Sequence, residues 1–419
     1  MIKKLLFALM LLPLACFAQD TPTVIFPLPG SNTGIYCSSS TTWTGLAWTN
    51  GLPSEEKDII FNADFIQNEG TLKACSIFVL AGAQVKFNEK ANAIVRHSVN
   101  VAANGSLIFE GSDLLQLENQ QNCGEVVIKT YTPKLAKDDF ILWSSPVAGQ
   151  MLTDFSPETL INRFYTFNTL DNIYNNVLSP DVTPFEKAKG YLIRTPETHS
   201  ATPAPWEGCF KGVPNTGTIS TALTYNNKNQ SYNAVGNPYP SPIDIAKFID
   251  ANQNTIEGTL WIWHKTGDPA KSSYATATKL GYQANASVES EADPSKNPCS
   301  INAKGIISTG QGFIVKAKNS GNLIFTNAMR TVIDNKLFED EEPQPEASRI
   351  WINVAKDAGV FSQVLIGYTT QGTTGYDTGL DGESLLDGEF TLYSLINDNK
   401  LAIQARPEFN VNDVVPLGF

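Results

Sequence analysis

Apolar periodicity in this chain is short-lived, which leaves little room for long helices. Hydrophobic residues alternate over about four to six positions, then meet a Gly, Asn or Pro turn, and helical spacing persists only in IDIAKFIDAN, Ile243 to Asn252. Three early segments set the pattern: ACSIFVLAGAQVKF (Ala74 to Phe87), AIVRHSVNVAANGSLIFEG (Ala93 to Gly111) and DLLQLE (Asp113 to Glu118). The turns that accompany this alternation contain Ala-Gly, Asn-Gly or Gly-Ser. Strands of this length at this spacing read as rungs of a short parallel β-solenoid, each burying its inner face against the next. A meandering antiparallel sheet shares the pattern.

The rest of the chain is equally strand-like. EVVIKTYTP, DFILWSSPV, RFYTFNT, GYLIRTP, GTLWIWHK, GQGFIVKA and GNLIFTNAM are rich in β-branched and aromatic residues and bounded by Gly, Pro, Asn or Ser. EDEEPQPEAS (Glu339 to Ser348) is acidic and proline-bearing, and reads as a linker. Beyond it, RIWINVAKDAGVFSQVLIGY, FTLYSLI and KLAIQARP give the strands of a β-sandwich. The expectation is an all-β fold, a short parallel β-solenoid followed by β-sandwich-like domains. Its divisions are a signal peptide at 1–18, the solenoid at 19–123, a central β-rich domain at 124–338, the linker at 339–348 and a C-terminal sandwich at 349–419. The last is either very small or truncated, because the chain stops at VVPLGF with no closing strand after it.

The signal-peptide reading rests on Lys3 and Lys4 ahead of an apolar run from Leu5 to Ala15 and small residues around Ala18. Cleavage there leaves Gln19 or Asp20 at the new terminus; Pro13 and Leu14 disfavour a lipid anchor at Cys16. No later run is apolar enough to span a bilayer. The expected place is outside the cell, secreted or held at its surface. The net charge of −12 disfavours nucleic acid, which needs clustered Lys and Arg. Cys37, Cys75, Cys123, Cys209 and Cys299 lack paired zinc-site spacing, and one or two disulfides are expected, with Cys37 and Cys75 the nearest pair.

Catalytic chemistry is hard to place. The histidines, His97, His199 and His264, fall in different segments, and no Gly-x-Ser-x-Gly elbow, His-Glu-x-x-His helix or phosphate loop occurs. His97 reads as a packed or surface strand residue, since no His or Cys accompanies it at ligand spacing. In the acidic loop, Asp377, Asp381, Glu383 and Asp387 alternate with glycines, which makes them a calcium candidate outside the EF-hand pattern; a solvated turn is the simpler account. Trp43, Trp48, Trp261 and Trp263 are the candidates for stacking on sugars. Trp261 and Trp263 share one sheet face by the two-residue period, and a buried core explains that pair more simply. In YNAVGNPYPSPID (Tyr232 to Asp244), Gly236 permits a tight backbone while Pro238, Pro240 and Pro242 fix φ. That segment reads as a rigid connection between a strand and a short helix.

TTWTG, LWSSPVAGQ (Leu142 to Gln150), FSPETLINRFYTFNT (Phe155 to Thr169), KGYLIRTP, YNAVGNPYPSPID, GQGFIVKA and FTNAMRT (Phe325 to Thr331), in this order, resemble large surface and secreted proteins of Bacteroidetes exported by the type IX secretion system. The resemblance covers roughly residues 40 to 419 and implies a β-rich, non-enzymatic unit near the end of a longer exoprotein. In that family a C-terminal sorting domain follows the unit, and the expectation is that this chain lacks it. The resulting functional expectation is a structural and interaction module for adhesion or surface display, with an unidentified surface glycan or protein as partner. The alternative is a carbohydrate-binding module attached to extracellular polysaccharide processing.

Overall fold

The computed structural model describes residues 37–227, 230–263, 274–283, 305–332, 348–356, 360–387 and 390–419. The signal segment at 1–18 and positions 339–347 of the linker lie outside the described residues, as do His264 and Cys299. The fold is all-β: a parallel solenoid followed by mostly antiparallel, sandwich-like sheets.

The solenoid comprises β1 (Ser39–Trp43), β2 (Lys57–Phe61), β3 (Phe65–Ala74), β4 (Ser76–Val79), β5 (Gln84–Val95), β6 (Val99–Val101), β7 (Ser106–Glu110), β8 (Leu114–Gln116) and β9 (Val126–Leu135). One parallel sheet has the order β1-β2-β4-β6, and a second runs β3-β5-β7-β9 with β8 also paired to β5. From β2 to β7 the chain alternates between the two, so each circuit there adds a strand to both. Register repeats the same chemistry in columns: Ile59 pairs with Ile77 and Ile77 with Val99, while Phe87 pairs with Phe109 and Phe109 with Ile128. The Phe87 and Phe109 rings stack at 4.9 Å. These inward residues are essentially fully buried, each contributing about 1.5–3 kcal/mol of apolar burial. Parallel register decides against the antiparallel meander.

The second solenoid sheet runs on across residue 123. Gly124 makes the turn at φ +82°, where a Cβ would lie 2.0 Å from the Val101 carbonyl oxygen, so only glycine fits. β9 then pairs in parallel with β7 on one side and antiparallel with β15 (below) on the other. This strand converts a solenoid into an antiparallel fold without breaking the sheet.

The following elements are β10 (Phe140–Trp143), β11 (Val147–Ala148), α1 (Leu152–Phe155), β12 (Phe164–Asn168), β13 (Ile173–Asn176), β14 (Tyr191–Arg194), β15 (Ala204–Pro214), β16 (Ile219–Ala222), β17 (Tyr232–Gly236), β18 (Ile243–Asp244), α2 (Ile245–Asn252), β19 (Ile256–Trp263), β20 (Tyr274–Ala277), β21 (Tyr282–Gln283), β22 (Ile306–Ile307), β23 (Gly312–Ala317) and β24 (Asn322–Phe325). Sheet β10-β14-β12-β13 packs against sheet β17-β23-β19-β20-β21 through Leu142, Leu192, Trp261 and Ile314. α2 starts where Asp244 accepts the Lys247 N–H at 2.8 Å, and buries Phe248 and Ile249. A C-terminal sheet of β25 (Ser348–Lys356), β26 (Val360–Tyr368), β27 (Gly382–Glu383), β28 (Tyr393–Ile396), β29 (Asn399–Arg406) and β30 (Leu417–Gly418) docks by Leu365, Leu380, Ile403 and Ala405 onto Leu280.

The proline-rich segment is the weld between these parts. The buried Asn237 amide donates to the carbonyls of Ser241 (2.8 Å) and Ser308 (3.1 Å), and its oxygen accepts the Tyr239 N–H. Tyr239 Oη donates to Gly217 O at 2.6 Å, Asn215 Nδ2 to Pro238 O at 3.0 Å, and the Leu114 N–H of the solenoid to Pro240 O at 2.7 Å. Arg330 closes the assembly from below: its guanidinium lies 4.8 Å from the Tyr239 ring and donates to Ser241 Oγ, Asn327 Oδ1 and the Leu114 carbonyl. Burial lowers the Arg330 pKa to about 9, which leaves it protonated at neutral pH. Gly236 permits close approach, since a Cβ there would sit 2.3 Å from Ser144 Cβ.

Candidate functional site

The structure separates the four tryptophans into two settings. Trp43 and Trp48 sit at the first rung, 5.4 Å apart, packed edge-on against Phe65 and, for Trp48, Phe61. Trp43 Nε1 donates to Asp64 O at 2.9 Å. Here the rings cover the open end of the solenoid core, which otherwise would expose Phe61 and Phe65. Their positions are those of a cap.

Trp261 and Trp263 lie on β19 in an aromatic seam between the two central sheets. Trp261 is fully buried, its Nε1 donating to Glu383 O at 3.0 Å and its ring edge-on to Tyr232 at 5.3 Å, so it offers no face to a ligand. Trp263 is partly exposed; its Nε1 donates to Phe140 O at 2.8 Å and its ring meets Tyr274 and Tyr174 edge-on. The two tyrosine hydroxyls lie 3.4 Å apart, and burial pushes the Tyr174 pKa up to about 12. Phe140, Tyr165 and Leu385 complete the partly buried rim.

The acidic loop reaches the same seam from the C-terminal sheet, but its carboxylates do not converge on one point. Asp377 accepts from Thr373 N (2.6 Å) and Thr373 Oγ1 (2.9 Å). Asp381 is fully buried and accepts the N–H groups of Asp377 and Ala405, both at 2.6 Å; burial pushes its pKa up to about 6 against the pull of those bonds. Glu383 pairs with the buried Lys316 at 2.6 Å. Asp387 is close enough to Tyr274 to help raise its pKa, after burial, the larger cause. The structure thus brings Trp261, Trp263, Glu383 and Asp387 together in one seam, while Asp377 and Asp381 hold backbone.

The solenoid also assembles a group that the linear spacing conceals. Cys37 and Cys75 form a disulfide, and their sulfurs and a His97 ring nitrogen lie within 4.8 Å of one another. His97 is therefore accompanied by cysteines, contrary to its reading from neighbouring spacing alone. The register that pairs Ile77 with Val99 carries Cys75 onto His97, so the rung repeat was the signal that could have found it. Cys123 is also disulfide-bonded, and Cys209 is a half-buried free thiol on β15, its pKa raised by burial and then by Glu207. On the outer sheet face Lys129 sits between Glu110 (2.8 Å) and Glu207 (3.3 Å), a balanced ladder and not a basic groove.

Among the described residues, no helix is long and apolar enough to cross a membrane. A family model described as "Domain of unknown function (DUF8693)" matches residues 36–419. No curated protein and no solved structure matches the chain.

Proposed function

Since the chain belongs to the DUF8693 family over nearly its whole length, its role has to be read from its own residues, and we infer that it is a non-enzymatic structural and interaction module used for adhesion or display outside the cell. The observation that carries this reading is the junction at Asn237, Tyr239 and Arg330, where buried polar groups are committed to fixing one β unit against the next. Buried hydrogen-bonded networks of this kind rigidify and orient. A unit that holds a fixed spacing between its ends suits presentation of a surface. The resemblance to type IX cargo supports export to the surface of a Bacteroidetes cell, as does the basic and apolar leader of the sequence.

A second reading has one observation in its favour. Trp263, with Tyr174 and Tyr274, is a partly exposed aromatic group with Asp387 near the Tyr274 hydroxyl, the mixture of apolar face and polar tip that sugars stack on. A glycan-array screen of the purified chain, with and without calcium, separates the two. The module reading expects no glycan binding that depends on Trp263, and an array without hits makes protein partners the target. Reproducible binding that falls on Trp263→Ala replaces it with the carbohydrate reading. Export is tested by fusing residues 1–36 to a reporter in a Bacteroidetes host; retention of the reporter inside the cell rejects that part.

A further inference from the structure

The corner where successive rungs turn carries Cys75, His97 and Glu118 one above another. The ladder places them there: His97 N–H donates to Cys75 O at 2.7 Å, and Glu118 N–H to Arg96 O at 2.9 Å. Cys37, just ahead of β1, reaches the same corner through its bond to Cys75, with the two Cα atoms 5.9 Å apart. Two polar atoms at this corner are buried without a hydrogen bond. One is Asp58 Oδ1, on a side chain that faces Ser76 and feels the charge of His97; the other is His97 Nδ1. Glu118 Oε2 approaches that nitrogen to 2.7 Å, yet away from the direction of an in-line hydrogen bond. A disulfide alone requires neither a histidine against it nor a buried carboxylate oxygen without a hydrogen bond, as Asp58 Oδ1 is, and a buried orphan of this kind calls for a reason such as an ion or a redox role.

We propose that this corner is a redox-gated site for one thiophilic divalent cation of the zinc class: with the Cys37–Cys75 bond reduced, both thiolates and the His97 imidazole coordinate the ion, and water takes the fourth position. The donor set is the sulfur and nitrogen type that zinc prefers, in tetrahedral number. Zinc–sulfur bonds of about 2.3 Å put two tetrahedral sulfurs about 3.8 Å apart, a spacing that two cysteines with Cα atoms 5.9 Å apart can span. Opening is ordinary exchange with a dithiol. Its thiolate attacks one sulfur, forming a mixed disulfide and releasing the other cysteine as a thiolate; the second thiol of the reductant displaces the remaining cysteine and closes to its own disulfide. Two electrons pass from the dithiol to the cysteine pair, and any thiol proton is lost to solvent on metal binding. The reverse exchange with an external disulfide re-forms the Cys37–Cys75 bond: the two thiolates reduce the external disulfide to a dithiol, which takes up the two electrons and, from solvent, two protons, and the ion, having lost two ligands, is expelled.

The test uses the full chain after leader removal. It is treated with dithiothreitol, desalted under argon and titrated with Co²⁺, then Zn²⁺. The expected result is about one equivalent of Co²⁺ per chain with thiolate-to-cobalt charge-transfer absorption, displaced by Zn²⁺ and absent from the oxidised chain. His97→Ala weakens binding by about 10-fold or more, and Cys75→Ser abolishes it. Thermal unfolding in reducing buffer is followed alongside, so that a loss of fold on reduction still gives an answer: Zn²⁺ raises the midpoint of the wild-type chain and not of His97→Ala. No charge-transfer band together with no midpoint shift overturns the proposal. So does binding that persists unchanged in both variants, which would assign it to the other thiols.

Discussion

Asp381→Asn tests whether the acidic loop is a structural device or a cation site. Asp381 is fully buried, with both carboxylate oxygens committed to backbone N–H groups, and its pKa is raised from 3.8 to about 6, burial being the largest cause. A folded pKa above the unfolded value means that the native state holds the proton more tightly between those limits. The stabilisation is fully present below pH 3.8 and is lost as pH rises through about 6. Integrated from pH 7.5 down to about 4.5, that linkage favours the wild type over the titration-free asparagine variant by about 2 kcal/mol. At pH 7.5 the variant also turns an amide N–H toward a backbone donor, costing about 1–3 kcal/mol. Urea melts of both proteins at the two pH values give the double difference, in which the titration of all other carboxylates cancels. A calcium site predicts the opposite trend in the presence of Ca²⁺, because the ion competes with protons and stabilises the wild type most at high pH. A flat double difference, or one of the opposite sign without calcium, refutes the argument from burial.

Gly124→Ala should destabilise the protein by about 3 kcal/mol or more, since the new Cβ meets the Val101 carbonyl at 2.0 Å; Gly70→Ala, also at positive φ but with nothing within 4 Å, should cost only about 1 kcal/mol by the same thermal melts. Arg330→Met leaves the Leu114 carbonyl and Ser241 hydroxyl without their donor and removes the contact with Tyr239; relief of guanidinium desolvation offsets part of that, for a net loss of about 2–4 kcal/mol, and a neutral urea midpoint would count against the weld. Trp48→Ala should cost about 2 kcal/mol and expose Phe61 and Phe65, read as faster hydrogen exchange in β1 and β2 while β26 and β29 stay protected.

What could be read in the sequence is what depends on local period. The rungs at Ala74 to Phe87 and Ala93 to Gly111 announced themselves because inward residues alternate and turn residues recur; the helical spacing of Ile243 to Asn252 marked α2 (Ile245–Asn252), while the single turn of α1 (Leu152–Phe155) is too short to leave a period. The proline-rich segment was legible as a rigid connection because proline restricts its own φ wherever it lies. Its partners were not, because Leu114, Gly217 and Arg330 are far from it in sequence and no local pattern names them. The same limit hid the acidic loop's commitments: the alternation of Asp, Glu and Gly suits a calcium loop and a set of backbone acceptors equally well. Which one forms is decided by Ala405 and Lys316, from other strands.

A solenoid stacks identical faces and so has no intrinsic way to stop: each end exposes a rung that would accept another strand. This chain closes the two ends by different means. At the first rung Trp43 and Trp48 lay large rings over the core, which blocks continuation but fixes no direction. At the last, β9 continues the sheet and then changes the sense of pairing to antiparallel at β15, while Arg330 and Leu114 tie the stack to the proline segment. The second closure sets the angle between the solenoid and everything after it. If only termination were needed, another aromatic cap would serve, without a buried guanidinium and its desolvation cost. The added polar weld therefore argues that orientation itself is the property this module maintains.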